Sequence, residues 1–201
     1  MQRSRTPHAR IAVVPYDPRW PQEFERAAGE VIPALGPGLL AVHHIGSTSI
    51  PGMYAKPVID ILVIVEDLHA VDGRTAEMQT LGYQVLGEFG MEGRRYFRRD
   101  DSTGKRTHQL HTFAQGSPHV ARHLAFRDFM RAHPDVAREY GDLKRRLAEA
   151  HPHDIEAYMD GKDGFIKEME ARALEWSATS AGGRPDTGIT DAAAGAGERH
   201  R

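Results

Sequence analysis

The stretch HHIGSTSIPGMYAKPVIDILVIV, residues 43–65, constrains the fold more than any other part of the chain. A strand-like run breaks at Gly46-Ser47, passes Pro51-Gly52 and Lys56-Pro57, and resumes as PVIDILVIV. In that second run Val58, Asp60, Leu62 and Ile64 face one way, and Ile59, Ile61, Val63 and Val65 the other. Near-continuous apolarity of this kind indicates a strand covered on both faces. Asp60 therefore sits in apolar surroundings. An unpaired carboxylate there is costly, so it requires a ligand, a metal, or hydrogen bonds from the Gly-Ser loop.

The flanking sequence supplies the other layers. IAVVPYD, residues 11–17, reads as a short strand closed by proline. PRWPQEFERAAGEVIPAL has helical spacing, with Trp20, Phe24, Ala27 or Ala28, and Val31 on one side. Pro21 suits the first turn and GPG ends the helix. Asp67 is placed to cap a helix over 68–81, ended by Gly82. YQVL is a strand and GEFGMEGRR a glycine-rich loop. RRYFRRD and RTHQLHTFA form a hairpin across DSTGK. From Ser117-Pro118 onward the pattern is helical, with Gly161 or Gly164 as points of interruption. Strands mixed with helices, followed by helices alone, imply an α/β (α+β) fold: a mixed sheet flanked by helices, with a C-terminal helical layer. Residues 1–10 read as a flexible N-terminus, 11–176 as one domain, and the small, polar residues 177–201 as a disordered tail.

Composition excludes several function classes. There is no cysteine, hence no disulfide, thiolate zinc site or cysteine nucleophile. Lys plus Arg is 26 against 28 for Asp plus Glu, which gives no overall attraction to nucleic acid or anionic membrane. No apolar run approaches the roughly 18 residues of a membrane helix, and the basic N-terminus lacks the apolar centre of a signal peptide. A cytoplasmic location is the expectation.

A Gly-Ser pair at a strand end offers a hydroxyl and backbone N–H groups to an anion, and a carboxylate in the next strand can bind a divalent metal. Gly46-Ser47 followed by Asp60-Ile61-Leu62 resembles the signature of the DNA-polymerase-beta-like nucleotidyltransferase superfamily, in which Gly-Gly/Ser precedes Asp-x-Asp/Glu. HIGSTSIPGMYAKPVIDILV is more closely similar to the GrpB family motif, about HIGSTAVPGLxAKPIIDI. The likeness extends through VVPYDPRWPQEFERA, GYQVLGEFGMEGRRYFRR, THQLHTFAQGSPHVARHLAFRDFMRAHPDVAREYGDLKRRLA and AYMDGKDGFI, about residues 11 to 170. The resemblance implies a nucleotidyltransferase fold. It also implies a link to coenzyme A metabolism, since such domains are fused to dephospho-CoA kinase in some bacteria. The superfamily's second carboxylate belongs at position 62, where this chain has Leu62. Two-metal catalysis needs paired carboxylates to hold ions about 4 Å apart.

The expected site is a cationic pocket around Asp60. Asp60 would bind magnesium or act as a base, with His108 and His111 as catalytic partners. His44, Gly46, Ser47, Lys56, Arg95, His123 and Arg127 would bind substrate; Arg94 and Arg98 lie near, and Asp128 follows Arg127. His111 shares a strand face with Gln109, and His108 with Leu110. The GrpB pattern there is His-His-Leu-His, so Gln109 replaces a histidine. Such a pocket suits a nucleotide or another anionic small molecule, with turnover by a transferase or ligase step. The alternative is a binding module that has lost catalysis, or an accessory to a protein partner. The competing structural readings are a packed, hydrogen-bonded role for the four histidines at 44, 108, 111 and 123, and an ion-paired surface for His123, Arg127 and Asp128. KRRLAEAH reads as a solvated helix face, and His8, His69, His119, His133, His151, His153 and His200 as surface residues.

Overall fold

A computed structural model describes residues 10–179 and 188–189. Its elements are α1 (Trp20–Leu35), β1 (Leu39–Ile45), a 3-10 turn (Ser47–Ser49), β2 (Ile59–Val65), α2 (Leu68–Asp72), α3 (Thr75–Thr80), β3 (Gln84–Val85), β4 (Arg94–Asp100), β5 (Arg106–Ala114), α4 (Pro118–Ala132), α5 (Pro134–Ala150) and α6 (Ile155–Ala178). The strands form one sheet in the order β1-β2-β5-β4-β3. β2 and β5 run parallel; the other pairs are antiparallel.

The alternation in β2 sorts the molecule into two sides. Ile59, Ile61, Val63 and Val65 join Trp20, Phe24, Val31 and Met78 in one core under α1 and α3. Leu62, with Ile64 against it, packs with Ile45 and Phe113 on the opposite face. There α4, α5 and α6 form a separate cluster with Ile50 and Met53 of the β1–β2 connection. This is the mixed sheet with a C-terminal helical layer. α1 buries Trp20, Phe24, Ala27, Ala28 and Val31, with proline in its first turn and Gly36 after its end.

Several local expectations are corrected. Residues 11–17 form no strand: Val14 makes one bridge to Ala55, and Pro15 beside it has no N–H to extend the pairing. The helix over 68–81 is two short helices, broken at Gly73-Arg74, where Arg74 reaches Gly36 at the end of α1. Asp67 does cap the first, accepting from the His69 N–H at 3.0 Å. Gly161 and Gly164 do not interrupt α6, because packing on α4 and α5 outweighs the glycine penalty of about 1 kcal/mol. Within the region read as a tail, α6 continues to Ala178, and Ile189 pairs with Val42 on the free edge of β1 through N–H···O bonds of 2.9 and 3.0 Å. Residues 1–9, 180–187 and 190–201 lie outside the described residues.

Candidate functional site

Gly46 ends β1 with φ 69° and ψ −174°, a conformation open essentially to glycine alone. It lets the chain turn beside Asp60: a Cβ at Gly46 would lie 2.3 Å from Asp60 Oδ2. The turn is closed by Ser49, whose hydroxyl donates to the Gly46 carbonyl at 2.6 Å. Thr48 donates to the Val58 carbonyl and accepts from His44 Nε2 at 2.9 Å, tying the turn to both strands.

Asp60 lies on the face of β2 that looks toward the helical layer. Its carboxylate is 27% exposed. Among the described residues nothing donates a hydrogen bond to it; its nearest counterpart is His111 Nε2, 3.9 Å away. The Gly-Ser loop approaches without bonding to it, so Asp60 does not serve as the loop's hydrogen-bond acceptor.

The charge of this carboxylate is felt by three lysines, Lys56, Lys144 and Lys162. Lys144, from α5, is 3% exposed and donates from Nζ to Ser47 Oγ at 2.6 Å. Its ammonium also lies 4.5 Å from the centre of the Tyr140 ring. Lys56 and Lys162 sit over the buried Tyr158 ring at 5.3 and 5.9 Å. Burial pushes Lys144 down to about 7 and Lys162 down to about 8; neighbouring lysines add to both shifts, and the Asp60 charge opposes them. Burial lowers Lys56 as well. Three lysines and one carboxylate within electrostatic reach of one another leave an excess of partly desolvated positive charge, which suits an anion.

Neither Lys144 nor Lys162 was expected from the sequence. KRRLAEAH looked like a solvated face, yet its first residue points inward. The signal was the α5 stripe of Ala137, Tyr140, Gly141, Lys144 and Ala148, all buried. Small residues let α5 approach the β1–β2 connection, where a Cβ at Gly141 would lie 3.2 Å from the Tyr54 amide.

The other expected residues divide by sheet face. In the parallel register Asp60 pairs with Gln109, so His111 shares its side. His108 points the opposite way, against Tyr83 and Arg99 below α1, where burial lowers its pKa to about 4. Arg95 is also on that side, bonded to Asp72 at 2.5 and 2.8 Å. Neither converges with Asp60, because residues an odd number of positions from His111 and Tyr96 on their strands face away. His44 stacks on Phe24 at 4.9 Å, and burial lowers its pKa to about 4; it braces the turn from behind. Arg127 is wholly buried, donating to Asp128 at 2.7 Å and to the His44 carbonyl at 3.4 Å. His123 packs 5.5 Å from His111 and 6.0 Å from Phe113, and loss of hydration keeps it neutral. Arg94 ties down the glycine-rich loop through the Glu88 and Phe89 carbonyls, and Arg98 bonds Gln84. His119 and His133 are partly buried against Phe113 and Phe129 rather than free surface residues.

Among the described residues no group of three His, Asp or Glu side chains can hold a metal ion. Leu62 is fully buried in the apolar cluster with Phe113. The residues present do not fit a two-ion centre; Asp60 alone could share one ion with a phosphate.

The family model for GrpB protein matches residues 10–172. The chain belongs to the GrpB family. UPF0157 protein YqkA of Bacillus subtilis is 44% identical over 170 residues, 85% of this chain and 49% of that protein. A dephospho-CoA kinase of Mycolicibacterium paratuberculosis is 32% identical over 200 residues, 88% of this chain and 49% of that protein. The chain thus spans about half the length of both relatives. The crystal structure of GrpB from Enterococcus faecalis superposes with TM-score 0.80 at 44% identity, covering 84% of this chain and all of that one. Cid1 poly(U) polymerase superposes with TM-score 0.51 at 10% identity, over 77% of this chain and 49% of that chain, which shows a nucleotidyltransferase-like fold. Among the described residues no helix is long and apolar enough to cross a membrane.

Proposed function

We propose that this GrpB protein binds a nucleotide or another phosphorylated small molecule between the Gly46-Ser47 turn, Asp60 and the three lysines. The observation that carries this reading is Lys144, a buried ammonium held 2.6 Å from Ser47 on a turn that abuts Asp60. Phosphate oxygens would displace part of that contact and satisfy Ser47, Lys144, Lys56 and Lys162 together. Asp60 is the residue that would hold a single magnesium ion, shared with the ligand's phosphates, as in sites built on one carboxylate. Alternatively, with no ion bound, Asp60 would act as the base that takes the acceptor's proton, with His111 3.9 Å away to pass that proton on.

A second reading, a binding module without two-metal transfer, rests on Leu62. The apolar side chain stands where the superfamily has its second carboxylate; it is fully buried among Ile45 and Phe113 and offers no oxygen to an ion.

Calorimetric titration with nucleoside triphosphates and tripolyphosphate, with and without magnesium, tests the site. Lys144→Ala should weaken tripolyphosphate by about tenfold or more, the worth of one charge-assisted contact. Equal binding by Lys144→Ala and the parent protein would refute the assignment. Product formation from a triphosphate and an acceptor would separate a transferase from a binding module.

A further inference from the structure

Phe89 is the most exposed of the large hydrophobic residues described, at 60%. It is also the sole described non-glycine residue with positive φ, 45°, a conformation that is a genuine outlier for a bulky side chain. The loop that carries it is not slack. Arg94 donates to the Phe89 carbonyl at 2.8 Å and to the Glu88 carbonyl at 3.1 Å. The Glu88 carboxylate accepts from the Gly93 N–H at 2.8 Å, and Met91 packs into the apolar cluster below. An aromatic ring is thus held in solvent, in a strained conformation, by a firmly anchored loop. Strain that the surroundings enforce is a pointer to function.

The ring has a direction. Phe89 stacks on Tyr96 with centroids 5.2 Å apart and planes 22° apart. Tyr96 lies 5.3 Å from His111, and His111 Nε2 is 3.9 Å from Asp60. One face of Phe89 is covered and the other is open, at the outer end of a file of rings that ends at the anion pocket. A flat heteroaromatic ring can extend this file at its open end. Aromatic faces accept any base, since every base has a π-face.

We propose that Phe89 is the ring-stacking platform of the pocket, and that the ligand class is a phosphorylated compound bearing a planar heteroaromatic ring, such as a nucleotide, rather than a phosphorylated sugar or polyphosphate. This deepens the proposed function and rests on it. Tripolyphosphate and the four ribonucleoside triphosphates are titrated into the full chain, into Phe89→Ala and into Phe89→Trp. Phe89→Ala should lose about tenfold in affinity for at least one triphosphate, keep its tripolyphosphate affinity, and be rescued by Phe89→Trp. Unchanged triphosphate affinity in Phe89→Ala overturns the platform while leaving the anion site standing. An equal loss for tripolyphosphate overturns it too, by making Phe89 a brace for the loop. Parent protein that binds neither probe overturns both readings.

Discussion

Gly46→Ala should damage this protein through two separable effects. The first is backbone strain: φ 69° with ψ −174° costs a residue with a Cβ about 1–3 kcal/mol. The second is collision. The new methyl would stand 2.3 Å from Asp60 Oδ2, 2.8 Å from its Cβ and 2.9 Å from its Cγ. The carboxylate oxygen could rotate away, but the Cβ is fixed to a central strand, so overpacking adds about 1–3 kcal/mol. Gly52 is the control: it too has positive φ, 77°, but nothing lies within 4 Å of its absent Cβ. Gly52→Ala should therefore show backbone strain alone. Urea or thermal unfolding should place Gly46→Ala below Gly52→Ala by about 1–3 kcal/mol, or roughly 2–10 °C for a domain of this size. In an Asp60→Gly background, which removes the colliding atoms, the collision part should vanish, so Gly46→Ala should cost about 1–3 kcal/mol less than in the parent protein. Equal losses at the two glycines, or a Gly46→Ala cost that is unchanged in that background, would refute the argument that Gly46 exists to let the chain pass Asp60.

The lysines set a pH dependence for binding. Lys144 and Lys162 carry pKa values lowered to about 7 and about 8, so at about pH 9 both are mostly neutral, and an anion must draw protons onto them. Tripolyphosphate affinity should rise as pH falls from about 9 to about 7, with proton uptake seen as a buffer-dependent enthalpy, and Lys144→Met should flatten the profile; a flat profile in the parent protein would count against charged lysines in the site. His108→Ala and Arg95→Ala should leave tripolyphosphate affinity within about twofold, since both lie across the sheet, and any cost should appear in unfolding instead. Ile189→Asp should lower unfolding free energy by about 1–2 kcal/mol, because Ile189 packs on the α1 core while pairing with Val42; an unchanged urea midpoint would show that the bridge contributes nothing.

Much of this molecule could be read from local pattern. The period of two in PVIDILVIV assigned Asp60 and Leu62 to one face and their neighbours to the other, and the cores under α1 and around Phe113 follow that division. Cap and breaker residues marked α1, α4 and the β4–β5 hairpin because their effects act within one turn of chain. The Gly-Ser motif and its spacing to Asp60 indicated the family and its fold. Leu62 already argued against a pair of metal ions.

What the local pattern does not contain is which face of one strand meets which face of another. The alternation within β5 separated His111 from His108, but only the β2–β5 register put His111 on the side of Asp60 and sent His108 under α1. The same holds for Arg95, which pairs with Asp72 on the far side. Lys144 and Lys162 were invisible as site residues for a related reason. A lysine on a helix reads as solvated until close packing with a distant segment removes its water, and Lys144 meets Ser47 across 97 positions of chain. Sequence by itself determined the fold, the turn and the lone carboxylate, because these depend on steric and hydrogen-bonding preferences of residues close together in the chain. Tertiary structure decided the charge around that carboxylate, because desolvation and ion pairing depend on which remote surfaces come into contact.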